Sequence, residues 1–308
     1  MGTPAFAVDS LKFLHQSNHE VVAVITAIDK PAGRGRKLNQ SAVKEFALSE
    51  KLNILQPNNL KDEGFLEQVK AFNADMFVVV AFRMLPKALW SIPKYGTFNL
   101  HSSLLPDYRG AAPINWVIAN GETKTGVTTF FINEDIDTGE ILLQEETQIE
   151  EDEDAGSLHD RLMAIGAGLV LKTVNGLAND VLKPQAQENN FHLNDAPKIF
   201  KEDLRINPAE SREQVYNLIR GMSPFPGAWG KILVDGQEKT LKIYKSEMYD
   251  LDKDFEVGEL IVLDKNNIIL VFKDGALSLK ALQIEGKRRM SSQDFINGRI
   301  LEKGAVMV

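Results

Sequence analysis

The sequence contains no cysteine. That absence excludes a disulfide scaffold, Cys-ligated zinc or iron–sulfur centres and a thiolate nucleophile, and it fits a reducing, cytoplasmic setting. No apolar run approaches the roughly 18 residues of a membrane span, and the first residues lack the basic, apolar and cleavage regions of a signal peptide. No membrane partner is therefore expected. Histidine is sparse, and His15, His19, His159 and His192 are scattered without the spacing of metal ligands, so no metal is expected either. Basic charge is also short: 35 Lys and Arg against 43 Asp and Glu give a net charge of −8 and a pI near 5.3. Taken whole, that balance speaks against a nucleic-acid partner.

The charge is unevenly placed. Residues 145–154 hold seven acids and no base, which leaves −1 for the rest of the chain. Against this acidic run stand Lys30, Arg34, Arg36 and Lys37, and the run Lys287, Arg288 and Arg289. A charge run by itself most often marks a solvated face. The remainder is an ordinary globular composition, 44% apolar over 308 residues, a length that suggests two domains.

From residue 5 to about 177, helical stripes alternate with apolar strand-like runs. Helices are expected over Phe6 to Leu14, after the N-cap Ser41, from Asp62 to Phe72, over Pro113 to Ala119 and from Ser157 to Leu177. Strands are expected over Val21 to Ile28, Met76 to Ala81, Gly96 to His101 and Val127 to Ile132. This order implies an α/β domain with a doubly wound, mostly parallel, Rossmann-like sheet over residues 1–177. A polar connector, 178–208, leads to a second domain, 209–308. There, about five short strands in roughly 80 residues, with Asp235-Gly236 and Asp274-Gly275 as turns, suit a small OB-like β-barrel. Phe225 and Trp229, in the Pro/Gly turn before it, are expected to hold the domains together. The strand that should feed the first helix is missing before Gly2-Thr3-Pro4, so the chain is expected to begin at an internal methionine of a longer natural sequence.

The densest chemistry lies between Phe98 and Gly110. Side chains alternate along a strand, so Asn99 and His101 project to one side about 7 Å apart, an amide donor beside an imidazole. Such a pair suits an oxygen that gains negative charge and a proton in transit near neutral pH. Pro106 and Gly110 turn the chain and expose backbone at the strand's C-terminal end, where ligands of open α/β sheets bind. Asp137, in Asp135-Ile136-Asp137-Thr138-Gly139, is ordinary turn chemistry unless it meets His101, when a carboxylate would orient and favour the imidazolium. The G-x-G of Gly33-Arg34-Gly35 lacks the third glycine of a dinucleotide fingerprint, and nothing matches a P-loop. Glycines between bases instead suit a loop that orders on an RNA backbone.

The pattern Asn99-x-His101-x-Ser103-Leu104-Leu105-Pro106-x-x-x-Gly110, with the later Asp137-Thr138-Gly139, resembles the family of enzymes that transfer the formyl group of 10-formyltetrahydrofolate. Within that family, Lys30 to Leu38, Arg109 to Ile114 and Gly286 to Asp294 look most like the members that act on methionyl-tRNA. The resemblance covers nearly the whole chain. It implies that Asn99, His101 and Asp137 are a catalytic triad and that Ser103, Leu104, Leu105 and Pro106 form the folate-binding loop. It also implies 10-formyltetrahydrofolate as co-substrate and initiator methionyl-tRNA as the partner. Lys30, Arg34, Arg36, Lys37, Lys287, Arg288 and Arg289 would then contact the tRNA of a monomeric enzyme. The alternative within the family is a sugar-nucleotide N-formyltransferase with the same triad and donor; a formyltetrahydrofolate hydrolase and a non-catalytic RNA-binding protein are further alternatives.

Overall fold

The protein is described as a computed structural model that covers all residues except 33–36, 189–192, 235–236, 252–254, 302–304 and 308. By its contacts the chain divides into two compact units. The first comprises Met1–Gly110, Thr125–Gln148 and His159–Asp195; the second comprises Ala111–Lys124, Ile149–Leu158 and Ala196–Val308.

The first unit is built on strands with helices between them. Phe77–Val80 pairs in parallel with Thr97–His101, which pairs antiparallel with Lys124–Phe131, and Ile141–Gln148 completes this four-stranded sheet. Val24–Ile25 and Ile54–Leu55 form a separate parallel pair. The helices start where their caps dictate: the Ser41 hydroxyl accepts from Lys44 N–H, and the Asp62 carboxylate accepts from Phe65 N–H, each satisfying an orphan donor of a first turn.

The eight-residue strand expected from Val21 to Ile28 is only Val24–Ile25. A ladder needs partners on its edge, and here the neighbouring position is taken by Met1 and Gly2. Gly2 N–H donates to Ile25 carbonyl while Gly2 bridges Val80 in parallel, and Val80 N–H donates to Met1 carbonyl. Beside these two residues lies a cavity of about 610 Å³ lined by Leu11, Leu14, Val21, Val22, Val78 and others. Gly2 thus links the two parallel pairs by an isolated bridge and single hydrogen bonds, with the cavity beside it.

The helix Ala155–Ala178 corrects one sequence expectation. An 18-residue window of it averages a hydropathy of 1.2, long and apolar enough to cross a membrane by length and composition. Its apolarity serves a core instead: Leu162, Ala167, Leu169, Val170 and Val174 are all buried. Close packing on the central strand is possible because position 166 is glycine, where a Cβ would come within 2.6 Å of Leu100 Cδ2. Thr129 and Thr173 add a buried hydroxyl pair at 2.8 Å, which satisfies both groups away from water.

The second unit carries an antiparallel sheet in the order Ala228–Val234, Gln237–Tyr249, Gly275–Ile284, Ile268–Phe272, Glu259–Val262, Ala305–Val306. A bridge from Met307 back to Ile232 brings the last segment to the first strand, so the sheet curls into a nearly closed barrel. Inward alternation fills it with Ile232, Leu241, Ile243, Leu270 and Leu279, and Phe295 joins the same core from the helix Ser292–Asn297. The helix Arg212–Gly221 begins with a capping box between Ser211 and Gln214. The Asp235-Gly236 turn lies outside the described residues, whereas Gly275 takes a φ of +137° after Asp274, as that turn signal requires.

Candidate active site

His101 closes the central strand, with Asn99 two residues earlier on the same face. The imidazole is buried, and its Nε2 lies 2.8 Å from the Tyr108 carbonyl oxygen. A carbonyl only accepts, so Nε2 carries the proton of this hydrogen bond. Nδ1 faces Asp137 Oδ2 at 3.7 Å, close enough for ion pairing but beyond a direct hydrogen bond.

Both partners of His101 sit on strained backbone. Tyr108 has a φ of +58° and Asp137 a φ of +54°, left-handed values that cost energy in a residue with a Cβ. At Tyr108 the strain turns a carbonyl onto the imidazole. At Asp137 it turns the side chain inward, where Oδ2 also accepts from Gly110 N–H at 3.0 Å. A half-buried carboxylate is thereby fixed between a backbone donor and a histidine. The Asn99 side chain is half-buried and, among the described residues, makes no hydrogen bond to protein, which leaves its N–H donors for a substrate oxygen.

The turn after His101 is held from inside. Ser103 is fully buried and its hydroxyl donates to Asp107 carbonyl at 2.6 Å. Leu105, joined to Pro106 by a cis peptide, is buried too; its N–H donates to Thr128 Oγ1 and its carbonyl accepts from Gln144 Nε2. Thr128 in turn donates to Ser103 carbonyl. Of the four residues expected to bind folate, Ser103 and Leu105 shape the turn, and Leu104 and Pro106 are the two left half-buried at its surface.

Of the residues expected to meet tRNA, Lys30 lies exposed on the strand Lys30–Ala32, which pairs antiparallel with Lys37–Asn39, where Lys37 begins the return. Arg34 and Arg36 lie outside the described residues. At the root of this hairpin the Lys44 ammonium, with the Gln56 amide, holds the Asp29 carboxyl below its ordinary range, so this acid is neutralised internally. Lys287, Arg288 and Arg289 are exposed on a turn of the barrel, with the Arg289 guanidinium stacked 4.4 Å from the Tyr244 ring centre. Phe225 is 82% exposed, and Trp229 donates its indole N–H to Lys201 carbonyl.

Several partners of the site escaped the sequence reading: the Tyr108 carbonyl, Gly110 N–H, Thr128, Gln144 and Gln187. The first two are backbone groups and carry no side-chain signal. Thr128 lies in a run of buried strand residues and Gln144 on the exposed face of its strand, so neither stands out from its neighbours by pattern. Gln187 sits in the polar connector, yet its amide reaches Arg109, Asp137 and Gly139.

Comparison with known proteins gives the family. Residues 1–174 match the formyl transferase family and residues 198–299 match the formyl transferase C-terminal domain. A methionyl-tRNA formyltransferase of Flavobacterium johnsoniae is 50% identical over 298 residues, 97% of this chain and 94% of the relative. One from Parabacteroides distasonis is 48% identical over 304 residues, again 97% and 94%. Among solved structures, an N-formyltransferase from Helicobacter canadensis, crystallised with folinic acid and dTDP-3-aminofucose, superposes with a TM-score of 0.65 at 22% identity, covering 90% of this chain and 96% of that one; it shares the fold. By identity and coverage of both chains, this chain belongs to the methionyl-tRNA formyltransferases of the formyl transferase family.

Proposed function

We propose that the protein transfers the formyl group of 10-formyltetrahydrofolate to the free amino group of initiator methionyl-tRNA, in the bacterial cytoplasm, and that Asn99, His101 and Asp137 perform the chemistry. The observation that carries the reading is the convergence of a buried histidine, protonated at Nε2, with a carboxylate 3.7 Å from its Nδ1 and an unengaged amide on the same strand face. That donor set fits an oxygen that acquires negative charge in a dry setting. As the amine–formyl bond forms and the bond from the formyl carbon to folate nitrogen breaks, Asn99 N–H and a protonated Nδ1 stabilise the formyl oxygen. Asp137 holds the imidazolium and takes the proton that the amine gives up, which returns to the departing folate nitrogen. The turn Ser103 to Pro106, braced by Thr128 and Gln144, presents the donor's surface at the C-terminal end of the strand. Lys30, Arg34, Arg36 and Lys37 would meet the tRNA acceptor arm, and Lys287, Arg288 and Arg289 its phosphates.

A sugar-nucleotide substrate is the second reading, favoured only by the shared fold of the N-formyltransferases. The match of residues 198–299 to a C-terminal formyl transferase domain and the near-full coverage of methionyl-tRNA relatives favour tRNA. The test is incubation with 10-formyltetrahydrofolate and charged initiator tRNA, in parallel with amino-sugar nucleotides and with water alone. Formyl-methionyl-tRNA is the expected product, and His101→Ala or Asp137→Asn should lower its rate by about 100- to 1,000-fold, with tRNA binding nearly intact. Undiminished turnover in either variant discards the assignment.

A further inference from the structure

We propose that Gln187 is a positioning residue for Asp137, so that the polar segment after the long helix forms part of the active-site scaffold. The inference rests on the reading of Asp137 as catalytic and goes beyond it by naming what holds that carboxylate in place.

The primary amide of Gln187 has two N–H donors and one strong acceptor, and all are used. Nε2 donates to the carbonyls of Asp137, at 2.9 Å, and of Gly139, at 2.7 Å. Oε1 accepts from Arg109 Nε at 3.1 Å and from Arg109 Nη2 at 2.7 Å. The partners themselves orient the amide, because carbonyls only accept and a guanidinium only donates. A ring closes around Asp137: its side chain takes Gly110 N–H, Gly110 follows Arg109, Arg109 grips Gln187, and Gln187 returns to the carbonyls of Asp137 and Gly139. A second brace anchors the segment nearby, where Gln185 and Ile141 exchange both backbone hydrogen bonds at 2.8 and 2.9 Å.

No other side chain fits this set of partners. A carboxylate at 187 would suit Arg109 but place an oxygen against two carbonyl oxygens; a lysine could not accept from Arg109; an asparagine would fall one methylene short. Asp137 gains most from the clamp, since its left-handed backbone carries a cost in a residue with a Cβ, and Gln187 draws the carbonyls of Asp137 and Gly139 to one point. Gln187 touches neither His101 nor Asn99 in the hydrogen bonds it makes, so it acts on the chemistry only through Asp137.

The test compares Gln187→Met, which keeps length and volume and removes all four bonds, with Gln187→Glu, which keeps the Arg109 half alone. Turnover, KM for both substrates and Tm are measured for each, and Gln187→Met is combined with Asp137→Asn. A displaced catalytic group typically costs on the order of 100-fold for a shift of 1 Å, so kcat should fall by about 10- to 100-fold in Gln187→Met with KM and Tm little changed. Gln187→Glu should fail to restore the rate. On the Asp137→Asn background, Gln187→Met should cause no further loss, because the group it positions is already gone. Wild-type kcat in Gln187→Met, full activity in Gln187→Glu, a loss confined to KM or explained by Tm, or a loss that multiplies with that of Asp137→Asn would each overturn the proposal. Asp137→Asn alone reports on the underlying reading: if that single variant turns over normally, the catalytic assignment has failed; if it is impaired while Gln187→Met is not, only the role of Gln187 has.

Discussion

Replacing Gly139 by alanine should detach the carboxylate from the histidine without touching either residue. A Cβ built at position 139 falls 1.7 Å from the Phe131 carbonyl oxygen and 2.8 Å from its carbon. An ordinary carbon–oxygen contact is about 3.3 Å, so the methyl must retreat by about 1.6 Å. Phe131 cannot yield much, because its strand is paired to the central one through Phe98. The turn carrying Asp137 moves instead. With an effective dielectric of about 20, opening the 3.7 Å separation by that amount weakens attraction to an imidazolium by about 1.4 kcal/mol, or tenfold in rate. Loss of the Gly110 hydrogen bond to Asp137 adds about 1 kcal/mol more. The expected result is a fall in kcat of about 10- to 100-fold, a nearly constant KM for methionyl-tRNA, and a destabilisation of about 1–3 kcal/mol from overpacking. Steady-state formylation with a product-specific readout and thermal melts of the same preparation provide the assay. A Gly139→Ala enzyme with undiminished kcat would refute the reasoning, since it would mean that the position of Asp137 does not control the reaction.

Gly168→Ala offers the opposite outcome: nothing lies within 4 Å of a Cβ at that helical position, so alanine should stabilise the protein by roughly 0.5–1 kcal/mol in urea unfolding, with activity unchanged. Replacing Lys287, Arg288 and Arg289 together by alanine should weaken tRNA binding and reduce the slope of log K against log salt by about 2, read from filter binding over a salt series; an unaltered slope removes these residues from the interface. Burial pushes the phenols of Tyr216 and Tyr244 above their ordinary value of 10.0. The unfolded chain therefore releases these protons first, so their contribution is intact below pH 10 and stability falls as pH rises through the folded values. Tyr244→Phe should flatten part of that alkaline decline in urea titrations, and an identical decline would show that Tyr244 does not contribute.

Much of the local structure was legible because it depends on near neighbours. Ser41 and Asp62 cap the helices that follow them, since the donors they satisfy lie three residues away. Asn99 and His101 share a face because a strand alternates. The short ladder at Val24–Ile25 was not legible, because its length is set by what pairs with its edge. The membrane-like hydropathy of Ala155–Ala178 likewise acquires its meaning from the buried contacts of Leu162, Leu169 and Val170.

The sequence by itself determined the chemical parts: a chain without thiols, a strand carrying an amide and an imidazole, a turn acid some distance along the chain, and two basic clusters against one acidic run. These are matters of composition and short-range periodicity. The tertiary structure alone decided how the parts are used. The Tyr108 carbonyl pairs with Nε2 of His101, a left-handed turn brings Asp137 to within 3.7 Å of Nδ1, and a glutamine 50 residues beyond bonds the carbonyl of Asp137. Each of these depends on contacts between residues distant in sequence and, in part, on backbone groups common to every residue, so no local pattern could have announced them.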